Sequence, residues 1–315
     1  MALQFILGPS GAGKSEYIYE DIIRRTMQDE RENVIVLVPE QYSLEIQRKL
    51  VQKHPRGGSF QIDVIGFNRL AYRIFDELHI KPKKVLEDFG KSMLLRKAAQ
   101  EHKEELSLYA GSLDKAGFID EAKSLMSEIY QYDIPRERLR EALQKLDDSE
   151  EARVLARKLQ DMLVIFDAFE EKKGQSFIVA EQMLELLTAA AEQSELIAGS
   201  EIVLDGFTGF TPIQLNLISV LLRRAKKVTI VLTIDAATYE KKHVAEHELF
   251  ALTKQTIEHL LLTAEQAHVV VEPALFLGKD GCKRWSKGHP LAHLEQNLFR
   301  YPYRVGKDEE QAITI

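Results

Sequence analysis

Residues 7–16 read LGPSGAGKSE, and this stretch near the start of the chain decides how the rest is interpreted. It matches the pattern G-x-x-x-x-G-K-[ST], in which backbone N–H groups hold phosphates, the lysine reaches the β- and γ-phosphates and the hydroxyl holds Mg²⁺. The pattern needs a buried strand before it and a helix after it, and the apolar run 2–8 and the amphipathic run 11–28 predict both. The expected ATP-binding residues are Gly8, Pro9, Ser10, Gly11, Ala12, Gly13, Lys14 and Ser15.

Composition limits the classes of function. The chain has 315 residues, of which 45% are hydrophobic and 29% charged, with a formal net charge of −7. These values are typical of a globular protein and exclude a strongly basic nucleic-acid coat, although a local basic groove is compatible with them. The single cysteine, Cys282, cannot form a disulfide within the chain. No apolar run is long enough to span a bilayer. We therefore expect a cytoplasmic protein without membrane association.

The order of apolar segments predicts the architecture. Strand-like and helical segments alternate up to residue 80 and again over 199–270, which indicates an α/β domain with a parallel sheet. The segment 81–198 between them is nearly all helical and rich in Leu, Ala, Glu and Lys. We expect it to be an inserted helical domain. The sequence of 271–315 has no regular hydrophobic pattern, and we interpret it as a connection towards a second α/β domain.

A second element of a nucleotide site lies at the end of the strand over 201–207. Asp205 in IVLDGF has the setting of a carboxylate that holds Mg²⁺, so Ser15 and Asp205 are the predicted metal ligands. ATPases commonly carry a carboxylate at the next position to activate water, and Gly206 cannot act as a base. We therefore expect binding of ATP and Mg²⁺ with negligible hydrolysis.

Two further segments are similar to motifs of UvrD-type superfamily 1 DNA helicases. DGFTGFTPIQ (205–214) resembles D-E-F-Q-D-x-x-x-x-Q, although Gly206 replaces the glutamate. The segment 65–75 resembles the DNA-contacting T-F-H-x-L-A-x-R-L, and the resemblance implies DNA contacts by Phe67, Asn68 and Arg73.

Together with GPSGAGKSE and VLVPEQYS, these stretches resemble the AddB (RexB) family in the same order and over essentially the whole chain. The family forms the second subunit of AddAB-type helicase–nucleases, which process double-strand breaks in bacteria. The resemblance implies a RecA-like P-loop domain resembling helicase domain 1A, a 1B-like helical insertion, and a position at the N-terminus of a longer subunit.

The resemblance also implies partners and cofactors. The AddA-type subunit of the heterodimer would be the motor, whereas the AddB-type subunit would bind DNA and help to scan it for the recombination hotspot. An iron–sulfur cluster and a nuclease would belong only to a C-terminal region absent from this sequence.

Two alternatives remain open. One is a small-molecule kinase, since FILGPSGAGKS at an N-terminus is also typical of that class, although a helical insertion of this size fits it poorly. The other is an interaction module with a vestigial nucleotide site. Measurements of nucleotide binding and of phosphate transfer to acceptors discriminate among the three.

Overall fold

The structure, a computed structural model, describes residues 1–81, 83–115, 117–147, 149–278, 283–285, 288–299, 302 and 304–306. The chain divides into two compact units. The α/β unit consists of Met1–Leu70, Ala191–Phe210 and the chain from Ile218 onward. The helical unit consists of Ala71–Ala190 and Thr211–Leu217.

The described residues form nine strands and thirteen α-helices. The strands are β1 (Ala2–Gly8), β2 (Asn33–Leu37), β3 (Ile62–Ile65), β4 (Lys84–Val85), β5 (Phe177–Ile178), β6 (Ser200–Leu204), β7 (Lys227–Thr233), β8 (Val270–Val271) and β9 (Leu275–Phe276). The helices are α1 (Lys14–Gln28), α2 (Ser43–Lys53), α3 (Phe67–Glu77), α4 (Asp88–Glu101), α5 (Phe118–Gln131), α6 (Arg136–Gln144), α7 (Glu150–Lys173), α8 (Ala180–Ala191), α9 (Glu195–Ala198), α10 (Pro212–Arg224), α11 (Ala236–Glu240), α12 (Ala251–Gln266) and α13 (Pro290–Asn297).

A parallel sheet forms the centre of the α/β unit. Its order is β3-β2-β6-β7-β1-β8, and β9 also pairs with β1. Every residue of β6 is buried, as expected for a strand covered on both faces of the sheet. The predicted α/β class and parallel sheet are confirmed. Strands from both sides of the helical segment share one sheet, with β7 lying between β6 and β1.

Helix α1 is fixed to this sheet by apolar contacts. Its buried face carries Ile18 and Ile22, which belong to one core cluster with Ile6, Val36 and Val203 of three strands. Burying an aliphatic side chain of this size contributes about 1.5–3 kcal/mol. The turn between β1 and α1 is therefore held at both ends by rigid elements.

The helical unit has its own core. Helices α4, α5 and α7 bury one cluster of side chains, which includes Leu95, Ile119, Met126, Phe166 and Phe169. The all-helical interpretation of this segment missed one feature, because β4 and β5 form a two-stranded parallel sheet. Two-residue strands are too short to produce the alternation that predicts a strand.

The segment after residue 270 is more regular than expected. Strands β8 and β9 both run parallel to β1, and helix α13 follows them. The predicted boundary at residue 270 therefore falls inside β8. Cys282 and several other positions of 271–315 lie outside the described residues. Among the helices that the structure describes, none has the length and hydropathy needed to cross a membrane.

Candidate functional site

The glycine-rich loop (Gly8–Ser15) joins the carboxyl end of β1 to the first turn of α1. Gly11 and Gly13 have φ values of 72° and 85°, in the left-handed region that favours glycine. Gly13 is the residue immediately before the helix, which begins at Lys14. The first N–H groups of a helix lack partners within it and carry its positive dipole end, so they suit an anion.

Lys14 is folded back onto this loop. Its side chain is buried, and its Nζ donates hydrogen bonds to the carbonyl oxygens of Gly8 and Pro9, at 2.9 and 2.8 Å. A buried ammonium is costly unless it is hydrogen-bonded, and these carbonyls supply acceptors. The arrangement keeps a positive charge within the turn.

Asp205 follows β6 at the same, carboxyl-terminal edge of the sheet. Its side chain is buried, and its backbone N–H donates to the Leu37 carbonyl at 3.0 Å. The Tyr19 hydroxyl of α1 donates to Oδ2 of Asp205 at 2.6 Å. Burial first, and then the Asp205 charge, raise the pKa of Tyr19 far above its usual value, so the hydroxyl stays protonated as a donor.

Tyr19 shows where Asp205 lies relative to the loop. Ser15 and Tyr19 are four residues apart on α1 and therefore share a helix face. Because Tyr19 contacts Asp205, the Ser15 side of α1 is the side that faces this carboxylate. Sequence reasoning identified Ser15 and Asp205 but missed Tyr19, because its partner Asp205 lies 186 residues away in the sequence.

The backbone conformation at position 206 favours glycine over residues with a side chain. Its φ is 83°, and a Cβ built there would lie 3.4 Å from Cδ of Pro39. Residues other than glycine pay a conformational cost in this region. The position next to Asp205 is thus adapted to glycine, and no carboxylate occupies it.

A segment that the sequence did not predict contacts the loop from the other side. We call Leu275–Gly278 together with Lys283–Trp285 the strap. The Leu277 N–H donates to the Leu7 carbonyl at 2.8 Å, so the strap continues beside β1 as far as the loop. The N–H groups of Lys283 and Arg284 both donate to the Gly11 carbonyl, at 3.1 and 3.2 Å.

The expected DNA-contact residues differ in exposure. Phe67 is 9% exposed, and its ring centroid lies 5.5 Å from that of Phe207, which also contacts Phe210. Asn68 and Arg73 are exposed positions of α3, and the Asn68 N–H donates to Glu40 Oε1 at 3.0 Å. Phe67 therefore belongs to an aromatic cluster in this structure.

No group of three or more His, Cys, Asp or Glu side chains suited to a metal ion occurs in the part of the chain that the structure describes. The predicted Ser15 and Asp205 pair is of another kind, since one hydroxyl and one carboxylate would bind Mg²⁺ together with nucleotide phosphates and water.

Comparison with known proteins shows that the chain is similar to part of longer bacterial proteins. Residues 5–295 match the family model described as ADDB, N-terminal. The chain is 38% identical over its whole length to a subunit of the ATP-dependent helicase/deoxyribonuclease of Lachnoclostridium phytofermentans. It is also 33% and 32% identical over its whole length to the corresponding subunits from Clostridium kluyveri and Caldanaerobacter subterraneus. In each case it spans 27% of the relative's length.

Proposed function

Because the chain belongs to the AddB N-terminal family, we propose that it is the nucleotide-binding, helicase-like region of the AddB-type subunit in a heterodimeric ATP-dependent helicase/exonuclease. Its role is in double-strand break repair and recombination in the cytoplasm. The motor is the AddA-type partner, and this region contributes to DNA binding and hotspot scanning. The iron–sulfur cluster and the nuclease belong to the C-terminal remainder of such a subunit.

The proposed fold is a RecA-like domain with a helical insertion. Support comes from the parallel order of the sheet and from the glycine-rich loop that follows β1. The chain leaves the α/β unit after Leu70 and returns to it at Ala191, as an insertion requires. We propose the sheet, including β8 and β9, with its helices as the 1A-like domain, Ala71–Ala190 as the 1B-like insertion and the chain after β9 as the connection to a second RecA-like domain.

The observation that carries the nucleotide proposal is the pairing of Lys14 with the turn before α1. The buried Lys14 ammonium and the first N–H groups of α1 meet at one loop, and polyphosphates are recognised by this combination of charge and backbone donors. On binding, Lys14 exchanges its two loop carbonyls for phosphate oxygens.

Ser15 and Asp205 fit a Mg²⁺ ion bound with the nucleotide. Both offer hard oxygen ligands, and they lie on the same side of α1. Oδ2 of Asp205 accepts from Tyr19, and we propose Oδ1 as the oxygen that binds the metal. The metal would screen phosphate charge and orient the nucleotide, while Tyr19 holds the carboxylate in place.

Hydrolysis is not proposed for this site. Gly206 has no side chain that could orient a water molecule, and its backbone is suited to glycine. A charge-stabilising arginine from a second domain or partner is worth roughly 10³–10⁵ in rate where nucleotide hydrolysis needs it. Stable ATP binding is therefore the expected state.

DNA contacts are proposed for the exposed positions of α3. Asn68 and Arg73 are accessible, whereas Phe67 can contact a base only after leaving its aromatic cluster. Arg73 would contribute a phosphate contact, and Asn68 a hydrogen bond to a base or sugar.

Calorimetry and thermal unfolding with ATP and Mg²⁺ test the nucleotide proposal. A ligand that binds only the folded state stabilises it by about 2.7 kcal/mol at a hundredfold excess over its Kd. We expect the chain to show this stabilisation and Lys14→Ala to lose it, with each protein compared with its own melting temperature without nucleotide. Lys242→Gln, a change at an exposed lysine, is the control.

The outcomes separate the candidate functions. Failure of the chain to bind ATP would favour the interaction module with a vestigial site. Transfer of phosphate to a small-molecule acceptor would favour the kinase. Turnover near one per second that Lys14→Ala abolishes would show that the site hydrolyses ATP despite Gly206.

A further inference from the structure

The strap lies against the glycine-rich loop through close backbone contacts. The Leu277 carbonyl occupies the space that a Cβ at Gly8 would need. Gly278 has φ 78°, and a Cβ there would lie 2.7 Å from Cβ of Ala12. Side chains at these two positions would separate the strap from the loop. The contact thus depends on a glycine on each side.

The strap holds the loop by its carbonyl groups. Both N–H groups of Lys283 and Arg284 donate to the same acceptor, the Gly11 oxygen. Neither of these two bonds uses a loop N–H, the kind of donor that would bind an anion. Through these two bonds, the strap holds the loop without competing with an anion for its N–H groups.

Lys283 brings a second lysine to the point where α1 begins. Its Cδ lies 3.2 Å from the position of a Cβ at Gly13, the residue before Lys14. The aliphatic part of Lys283 thus crosses the loop beside the first turn of the helix. The side chain is exposed, and no carboxylate among the described residues lies within ion-pair distance of its ammonium.

We propose that Lys283 is a second phosphate-binding cation, which acts with Lys14 on the polyphosphate of a nucleoside di- or triphosphate. This proposal rests on the proposed nucleotide binding of the loop. Lysine binds phosphate as a flexible point charge. The backbone hydrogen bond from Lys283 to Gly11 keeps this side chain close to a phosphate bound at the loop. Losing one charge-assisted contact of a partly exposed group corresponds to an affinity loss of about tenfold.

The test measures the Kd for ADP, ATP-Mg and inorganic tripolyphosphate by calorimetry. Lys283→Gln removes the charge but keeps the backbone, and Lys283→Arg keeps the charge. Lys242→Gln is the matched exposed control. Trp285 is the only tryptophan of the chain, and it lies in the strap beside Arg284, 5.6 Å from ring centroid to guanidinium carbon. Its fluorescence therefore gives a second titration on the same samples.

We expect Lys283→Gln to raise the Kd of all three ligands about tenfold, with an unchanged melting temperature in their absence. Lys283→Arg and Lys242→Gln should stay within twofold of the unmodified chain. The fluorescence titrations should give the same ratios of Kd between each variant and the unmodified chain. Binding by Lys283→Gln within twofold of the unmodified chain would overturn the Lys283 proposal while leaving the nucleotide proposal intact. Absence of ATP binding by the unmodified chain would overturn both.

Discussion

At the residue scale, the proposed absence of ATP hydrolysis rests on Gly206. Restoring the carboxylate found in many ATPases should not restore turnover here, because the backbone at this position has φ 83°. We expect Gly206→Glu to show no phosphate release above the unmodified chain and to lose about 1–2 kcal/mol of unfolding free energy.

The measurement combines urea unfolding with a phosphate-release assay. Gly111→Glu is the control, since the same side chain enters open space there, without a left-handed backbone. Equal unfolding free energies for the two variants would contradict the strain argument. Fast ATP turnover by Gly206→Glu would contradict the expectation that a carboxylate at this position does not restore hydrolysis.

Which site residues the sequence reveals depends on their separation along the chain. The loop and Lys14 were predictable because the motif is contiguous, and Asp205 because it ends an apolar strand. Tyr19 acts on a carboxylate 186 residues away, and no local pattern encodes that contact. Lys283 reaches the loop through a backbone hydrogen bond to Gly11, which is equally invisible to periodicity.

At the element scale, Asp161 of α7 organises a turn of the helical unit. This buried carboxylate accepts hydrogen bonds from the N–H groups of Ser107, Leu108 and Tyr109, at 2.7–2.8 Å. Burial acts to raise the pKa of Asp161, but these donors outweigh it, and the pKa lies below its usual value. The charge therefore stabilises the folded unit.

We expect Asp161→Asn to lower the unfolding free energy at pH 7 by about 2–3 kcal/mol, because an amide cannot accept from all of these N–H groups. A lowered folded-state pKa gives stability that is complete above the unfolded-state pKa of about 3.9 and is lost as pH falls through the folded-state value. The difference from the unmodified chain should therefore shrink below about pH 4.

Urea unfolding across pH 3–7 measures this effect, with the exposed Asp114→Asn as the control. A difference between Asp161→Asn and the unmodified chain that stays constant down to pH 3 would rule out the ionised carboxylate as its source.

The same scale shows why some elements were predictable and others were not. Strands β1 and β6 and the helix after the loop lie close to their expected bounds, since their burial in the sheet domain produces the sequence pattern. Strands β8 and β9 contain two residues each and depend on β1 for their hydrogen bonds. Their conformation is set by the sheet, and their own sequence contains no matching signal.

At the scale of the whole molecule, net charge predicts weak DNA binding by this chain alone. The chain carries 49 acidic and 42 basic residues, and neutralised phosphates supply most non-specific affinity. We expect micromolar or weaker binding to duplex DNA at physiological salt, with a shallow dependence on salt concentration. Fluorescence anisotropy over a salt series measures both, and submicromolar binding at physiological salt would contradict this prediction.

The pairing of β8 and β9 with β1 also has a consequence for self-association. These strands cover the side of β1 that does not face β7, and an uncovered strand edge is a template for pairing with another molecule. A chain shortened to residues 1–270 should therefore dimerise or aggregate in light scattering, whereas one ending at residue 299 should remain monodisperse. A monomeric 1–270 chain would show that the edge of β1 is protected in another way. We therefore expect β8 and β9 to protect the chain from edge-to-edge aggregation through β1.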